Sequence, residues 1–187
     1  MKSGAIPTKF AVVIIKQNDM KSVGVFYGSS TGTTQDIATK LAKELGVDAS
    51  NVFDIAKSSV VDFANYDVLL LGSSTWGDGD LQDDWMDVES DLESVDLTGK
   101  DVALFGVGDG YSYSDSFCSA VGKLHSLLQA SNCNFIGAMP TEGYEFDDSE
   151  ALDGDHFVGL LIDEDNDSDK TTSRIDAWVA QVKPLLG

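Results

Sequence analysis

The stretch GSSTGTTQDIA, residues 28–38, joins an apolar run, Val23 to Gly28, to a segment in which Ile37, Leu41 and Leu45 recur every four residues. An apolar run of strand length that ends in glycine and gives way to helical periodicity reads as strand, tight turn and helix. Gly46 can close that helix. The turn itself carries hydroxyls at Ser29, Ser30, Thr31, Thr33 and Thr34, a glycine at Gly32, and no Lys or Arg. A helix N-terminus offers unpaired N–H groups and the positive end of a dipole, which together bind anions. A triphosphate loop would carry Gly-Lys-Ser/Thr to neutralise the β and γ phosphates, and a dinucleotide loop would read G-x-G-x-x-G. Neither pattern is present. The stretch reads as a site for one terminal phosphate; the alternative is a hydroxyl-rich helix start with no ligand.

Outward from this turn the chain alternates. NVFDIA is a short second strand, and DVLLLGSS is a third, with Val68 to Leu71 apolar on both faces as in a covered parallel sheet. A helix holding Trp85, Val88 and Leu92 follows, and then DVALFGVGD as a fourth strand. Phe117, Val121, Leu124 and Leu128 mark the next helix, and CNFIGAMP is the fifth strand. Ile175, Trp178, Val179 and Val182 mark a last helix before Pro184. Five strands alternating with helices predict one doubly wound parallel sheet with right-handed crossovers. Residues 1–21 stand apart as an extension with Lys2, Lys9, Lys16 and Lys21 against one acid, Asp19, and residues 22–187 form the domain. The run FAVVII in that extension is too short to span a bilayer, which needs about 20 residues, and no small-residue cleavage pattern follows it. Residues 141–170 hold twelve acids and one base around HFVGLLID, which reads as a strand. An ordered excursion interrupting the fifth strand fits this segment better than a linker.

Composition narrows the function. Thirty-two acids against twelve bases give a net charge of −20, which repels nucleic acid and anionic membranes and favours a basic partner or simple solubility. Cys118 and Cys133 form no C-x-x-C and read as reduced thiols of an intracellular compartment. His125 and His156 are far apart in the chain, share no ligand spacing, and read as surface or structural residues. DEDNDSD, residues 163–169, invites a calcium reading, but an EF-hand loop needs Gly at its sixth position and Glu at its twelfth, where Ser168 and Arg174 stand. No metal is expected.

Ligands of a doubly wound sheet sit beyond the carboxyl ends of its strands. The turns after the first, third and fourth strands therefore belong together: GSSTGTTQD, GSSTWGDGDLQDDW and GVGDGYSYSDSF. They add Ser74, Thr75, Trp76, Gly77, Asp78 and Gly79 from the second turn, and Gly108, Asp109, Tyr113 and Ser116 from the third, to the candidate site. Trp76 and Tyr113, each beside glycines, suit gripping a flat ring, although each taken alone reads as ordinary packing. A planar heterocycle on a monophosphorylated chain is FMN.

At this level of detail the sequence resembles the flavodoxins over about residues 22–187, in the hydroxyl-rich loop, STWGDGDLQDDW, GVGDGYSYSDSFC and PTEGYEF...FVGLLIDEDN...RIDAWV. The last stretch is similar to the long-chain branch. The resemblance implies a five-stranded sheet of order 2-1-3-4-5 with the insertion in strand five. It also implies an FMN-bound, low-potential one-electron carrier, not an enzyme, working between semiquinone and hydroquinone. By resemblance, Ser29 to Thr34 hold the phosphate, Trp76 and Tyr113 sandwich the isoalloxazine, Gly108 and Asp109 approach its pyrimidine end, and the Gly77–Asp78 peptide faces flavin N5. It implies a monomer whose partners are basic redox proteins such as a ferredoxin–NADP-type reductase, with photosystem I if the source is photosynthetic, in plastid stroma or bacterial cytoplasm. Two features lie outside it: the basic start before Val23, and Tyr111, a second aromatic two residues before Tyr113. An FMN-dependent quinone reductase is the alternative, and it would need a substrate pocket and a nicotinamide route for which no basic or Gly-rich feature is seen. A receiver-like module would need an acidic pair where Gly28 and Ser29 stand.

Overall fold

The computed structural model describes residues 20–187; the expectations for residues 1–19 lie outside them. Strand β1 (Val23–Gly28) is buried along its whole length, and α1 (Thr33–Leu45) turns Ile37, Ala38, Leu41 and Leu45 inward, as its four-residue repeat requires. There follow β2 (Val52–Asp54), β3 (Val68–Trp76), β4 (Asp80–Leu81), α2 (Asp83–Met86), α3 (Glu89–Ser94), β5 (Asp101–Val107) and α4 (Ser119–Leu127). The chain ends with β6 (Asn134–Ile136), β7 (Met139–Pro140), β8 (Leu152–Asp153), β9 (His156–Phe157), β10 (Gly159–Ile162) and α5 (Thr171–Val182).

The main sheet runs β2-β1-β3-β5-β10 with every one of these neighbours parallel. It is the order 2-1-3-4-5 that the family resemblance implies, with β5 fourth and β10 fifth. Alternate residues of the central strands feed two cores. Phe26, Leu69, Leu71 and Leu104 pack with Trp85, Val121 and Leu124 on one face. Val25, Leu70 and Phe105 pack with Ile37, Leu41, Ile175 and Trp178 on the other. Both faces are covered by helices, which is why these strands read as continuous apolar runs.

The fifth position is shared by two strands laid end to end. β6 pairs Asp101 to Ala103 of β5, and β10 takes over from Leu104 to Val107. Between them residues 137–158 leave the sheet and form a small antiparallel sheet, β7-β9-β8. Both strand readings in this region therefore need correction. CNFIGAMP is cut at Gly137, whose φ is +82° and whose carbonyl accepts from Trp178 Nε1 at 2.8 Å. HFVGLLID is cut at Val158 into β9 and β10. The excursion is fixed by burial: Phe157 is fully buried against Phe117, Tyr144 and Phe146, and the Arg174 guanidinium lies 3.8 Å from the Tyr144 ring centroid.

Two helix readings also change. Trp85 and Leu92 are both buried, but the backbone between them leaves the helix at Val88, giving α2 and α3 in place of one helix. Residues 78–96 carry nine acids and no base, so no i,i+4 ion pair supports a continuous helix there. Phe117 precedes α4, which starts after Cys118 at φ +50°. β4 is an unexpected element, pairing antiparallel with the extended end of β3 through Thr75 and Trp76.

Candidate functional site

The carboxyl ends of β1, β3, β5 and β10 meet at one edge of the sheet, and a cleft of about 340 Å³ opens there. Thr31 and Thr33 line it from the turn after β1, and Ser74, Thr75, Trp76 and Gly77 from the end of β3. Val107, Gly108, Asp109, Tyr113, Ser116 and Cys118 line it from β5 and the loop after it, and Glu164 and Asp165 from the turn after β10.

Its first wall is the start of α1. Gly32 occupies the N-cap position at φ +98° with no side chain to cap the helix. Its N–H donates to Ser29 Oγ at 3.1 Å, so that hydroxyl closes the turn. Thr31 and Thr33 share a contact of 3.4 Å between their hydroxyls at the mouth. Thr34 is fully buried and its Oγ1 has no hydrogen-bond partner. Thr75 Oγ1 and Glu164 Oε1 are buried without partners as well. A buried polar atom left unpaired costs about 1–3 kcal/mol. Three such atoms around one cleft, beside an uncapped helix N-terminus, make a donor and acceptor set that suits a polar ligand with both hydroxyl and phosphate groups.

The second and third walls are aromatic. Trp76 and Tyr113 keep 43% and 54% of their surface exposed, unlike core aromatics. Trp76 Nε1 donates to Ser74 Oγ at 2.9 Å, which fixes the indole. The turn beyond it closes through Gly79 N–H to the Trp76 carbonyl at 3.0 Å, with Gly77 at φ +51° and the exposed Asp78 at its tip. Asp109 Oδ1 accepts from the Tyr111 and Ser112 N–H groups at 3.0 and 2.8 Å. Burial works to raise the Asp109 carboxyl, but hydrogen bonds from Ser112, Asn166 and Tyr111 outweigh it and hold it below the usual carboxylate range.

Of the residues expected from the sequence, Thr31, Thr33, Ser74, Thr75, Trp76, Gly77, Gly108, Asp109, Tyr113 and Ser116 line this cleft. Ser29, Ser30, Gly32, Thr34, Asp78 and Gly79 do not line it and belong to the turns around it. Ser30 Oγ accepts from Gln82 Nε2 at 3.4 Å, and Gly79 is packed so tightly that a Cβ there would lie 2.8 Å from Ser119 Cβ. Tyr111 is 85% exposed and does not line the cleft, leaving Tyr113 as the aromatic of that loop facing it. Glu164, Asp165, Val107 and Cys118 were missed as lining residues. The first two stand just beyond the end of β10, so the rule that ligands sit past the strand ends would have found them had the last strand been read with the others.

A flavodoxin family model matches residues 25–178. The chain belongs to the flavodoxin family. It is 47% identical over 168 residues to flavodoxin 1 of Salmonella typhimurium, covering 89% of this chain and 96% of that one. It is 42% identical over 167 residues to the flavodoxin of Nostoc sp., covering 89% and 98%. Among solved structures, the Fusobacterium nucleatum flavodoxin bound to flavin mononucleotide superposes with a TM-score of 0.83 at 28% identity, covering 90% of this chain and all of that one.

Elsewhere in this flavodoxin, a second cavity of about 450 Å³ is lined by His125, Phe135, Asp153 and His156. The two histidines, distant in sequence, are brought to one cavity by the insertion. Burial lowers the His125 pKa against the opposing charge of Asp153. Among the described residues no group of three or more His, Cys, Asp or Glu is placed to hold a metal ion. Cys118 and Cys133 are free thiols, with burial pushing both upward in pKa. No helix among the described residues is long and apolar enough to cross a membrane.

Proposed function

We propose that this protein is a one-electron carrier that holds FMN in the cleft at the carboxyl edge of its sheet. The observation that carries the reading is the convergence of two half-exposed aromatics and the unpaired polar atoms of Thr75 and Glu164 on one cleft, beside the uncapped N-terminus of α1 and the unpaired hydroxyl of Thr34. Family membership and the flavin-bound relative support it. FMN supplies the one-electron chemistry; the chain supplies binding, orientation and electrostatics.

Each wall has a task in this reading. The α1 N–H groups with Thr31, Thr33 and Thr34 hold the phosphate without a cation. Thr75 and Glu164 suit the hydroxylated chain, since one offers a donor and the other an acceptor. Trp76 and Tyr113 cover the two ring faces and exclude water. Gly108 and Asp109 face the pyrimidine end, and the Gly77–Asp78 peptide faces N5. The carboxylates of Asp109, Glu164 and Asp165 place negative charge along the cleft, which disfavours adding further negative charge there and keeps the second one-electron potential low.

The partner side rests on charge. Asp83, Asp87, Glu89, Asp91 and Glu93 are exposed on the segment that follows Trp76, and they favour a basic redox partner such as a ferredoxin–NADP-type reductase, with photosystem I as a further candidate. The test is direct. The purified protein should be yellow and release FMN on denaturation, and the flavin-free protein should bind FMN far more tightly than riboflavin. Equal affinity for the two flavins would refute the phosphate site.

A further inference from the structure

The acidic run DEDN, residues 163–166, is rejected as a calcium loop by its spacing, yet Asp163 is 5% exposed and among the described residues pairs with no Lys or Arg. A carboxylate taken out of water needs strong hydrogen bonds in compensation. Asp163 finds them in two places. Its Oδ2 accepts from Gly110 N–H at 2.9 Å, and its two oxygens accept from Asn166, through the backbone N–H at 3.0 Å and through Nδ2 at 3.0 and 2.9 Å. Asn166 Nδ2 also donates to Asp109 Oδ1 at 2.9 Å. The carboxamide thus bridges two carboxylates, with its nitrogen and not its oxygen facing both.

The loop on the receiving side is built for this approach. A Cβ at Gly110 would lie 2.7 Å from the Glu145 carbonyl oxygen and 3.1 Å from Asp163 Oδ2, so only glycine lets the insertion and Asp163 come this close. Three residues later the same loop carries Tyr113, whose N–H donates to the Asp109 carbonyl at 3.1 Å.

We propose that Asp163 and Asn166 are positioning residues: they clamp the 109–113 loop from behind, so that Asp109 and Tyr113 stand in their flavin-facing arrangement before any flavin arrives. The clamp touches no flavin itself and acts through the loop it holds. It rests on the reading that Asp109 and Tyr113 face the isoalloxazine. Pre-ordering a binding loop removes an ordering cost from the binding step, so losing the clamp weakens binding without removing a contact.

Asn166→Asp tests this with an isosteric change at an exposed position. The ionised side chain cannot donate, and it sets a third carboxylate against Asp109 and Asp163. Asn166→Ala removes the donor without adding charge. In the flavin-free protein, Asn166→Asp is expected to speed amide hydrogen exchange at Gly110, Tyr111 and Ser112 at least tenfold through local opening, with stability in urea falling by the corresponding amount, ~1.4 kcal/mol per tenfold. FMN affinity is expected to fall about tenfold, the visible circular dichroism of the bound flavin to change, and Asn166→Ala to give a smaller effect of the same sign. Unchanged exchange at those three amides would overturn the clamp. Faster exchange with wild-type FMN affinity would overturn it as well, and Tyr113→Ala then separates the causes. If that variant weakens FMN, the loop faces the flavin but needs no clamp; if it does not, the placement of Tyr113 at the ring has failed.

Discussion

Replacing Thr34 by valine is expected to move two properties of this protein in opposite directions. Thr34 lies in the first turn of α1, is fully buried, and its Oγ1 has no partner among the protein's own groups. Valine keeps the shape and has similar helix propensity. In the flavin-free protein the substitution deletes a desolvated, unsatisfied hydroxyl, and relieving such a group is worth about 1–3 kcal/mol. Stability should therefore hold or rise. If the hydroxyl donates to the flavin phosphate, the variant loses a hydrogen bond to a charged group, worth roughly 1.5–3 kcal/mol. At about 1.4 kcal/mol per decade that is a loss of about 10- to 150-fold in FMN affinity. Urea unfolding of the flavin-free protein and quenching of FMN fluorescence on titration measure the two quantities. A simple packing role predicts the opposite pattern, a destabilised protein with unchanged affinity, and that result would refute the reasoning.

Three further outcomes follow from the same geometry. Gly77→Val puts a β-branched residue at φ +51°, a conformation costing about 1–3 kcal/mol, and its Cβ would lie 3.1 Å from Asp80 Oδ2; the two one-electron midpoint potentials of the bound flavin should move closer together with little change in phosphate binding, and wild-type potentials in a redox titration would show that this turn does not tune the flavin. Charge reversal at Asp83 and Asp84 should slow electron delivery from a basic reductase at low salt, and the wild-type rate should fall as ionic strength rises towards 0.15 M, where the Debye length is ~8 Å; a stopped-flow rate independent of salt would leave the charge as a matter of solubility. Burial works to raise the Asp101 carboxyl, but Asn134 Nδ2 and Lys21, each at 2.7 Å, outweigh it and hold it below the usual range. A depressed folded pKa gives stability that is present above the unfolded value of about 3.9 and is lost as pH falls through the folded one, so between pH 5 and pH 2 the wild type should lose more stability in urea than Asp101→Asn, and parallel losses would remove Asp101 from the account.

Much of the fold was legible because its signals are local. Ile37, Leu41 and Leu45 are four apart because one face of α1 is buried, and Val68 to Leu71 are continuously apolar because both faces of β3 are covered. The three turns that line the cleft could be grouped from sequence because parallel strands place all their carboxyl ends at one edge. The readings that failed depend on partners distant in the chain. CNFIGAMP reads as one strand, but at Gly137 the carbonyl turns to accept from Trp178 Nε1 of α5, forty-one residues on, and the chain leaves the sheet there.

The sequence by itself determined the alternation of strands and helices, the hydroxyl-rich strand-to-helix turn of residues 28–34 and the two aromatic loops, since each is written in neighbouring residues whose backbone periodicity or turn chemistry is fixed locally. Tertiary structure alone decided which carboxylates matter and how. In sequence, Asp163 to Asn166 are an acidic run like several others. In the fold, Asp163 is buried against Gly110 and Asn166 reaches Asp109, while Glu164 and Asp165 turn to the cleft. The same residue type takes these different roles because the cost of a charge depends on its distance from water and on the donors around it, and both are set by strands and loops more than fifty residues away.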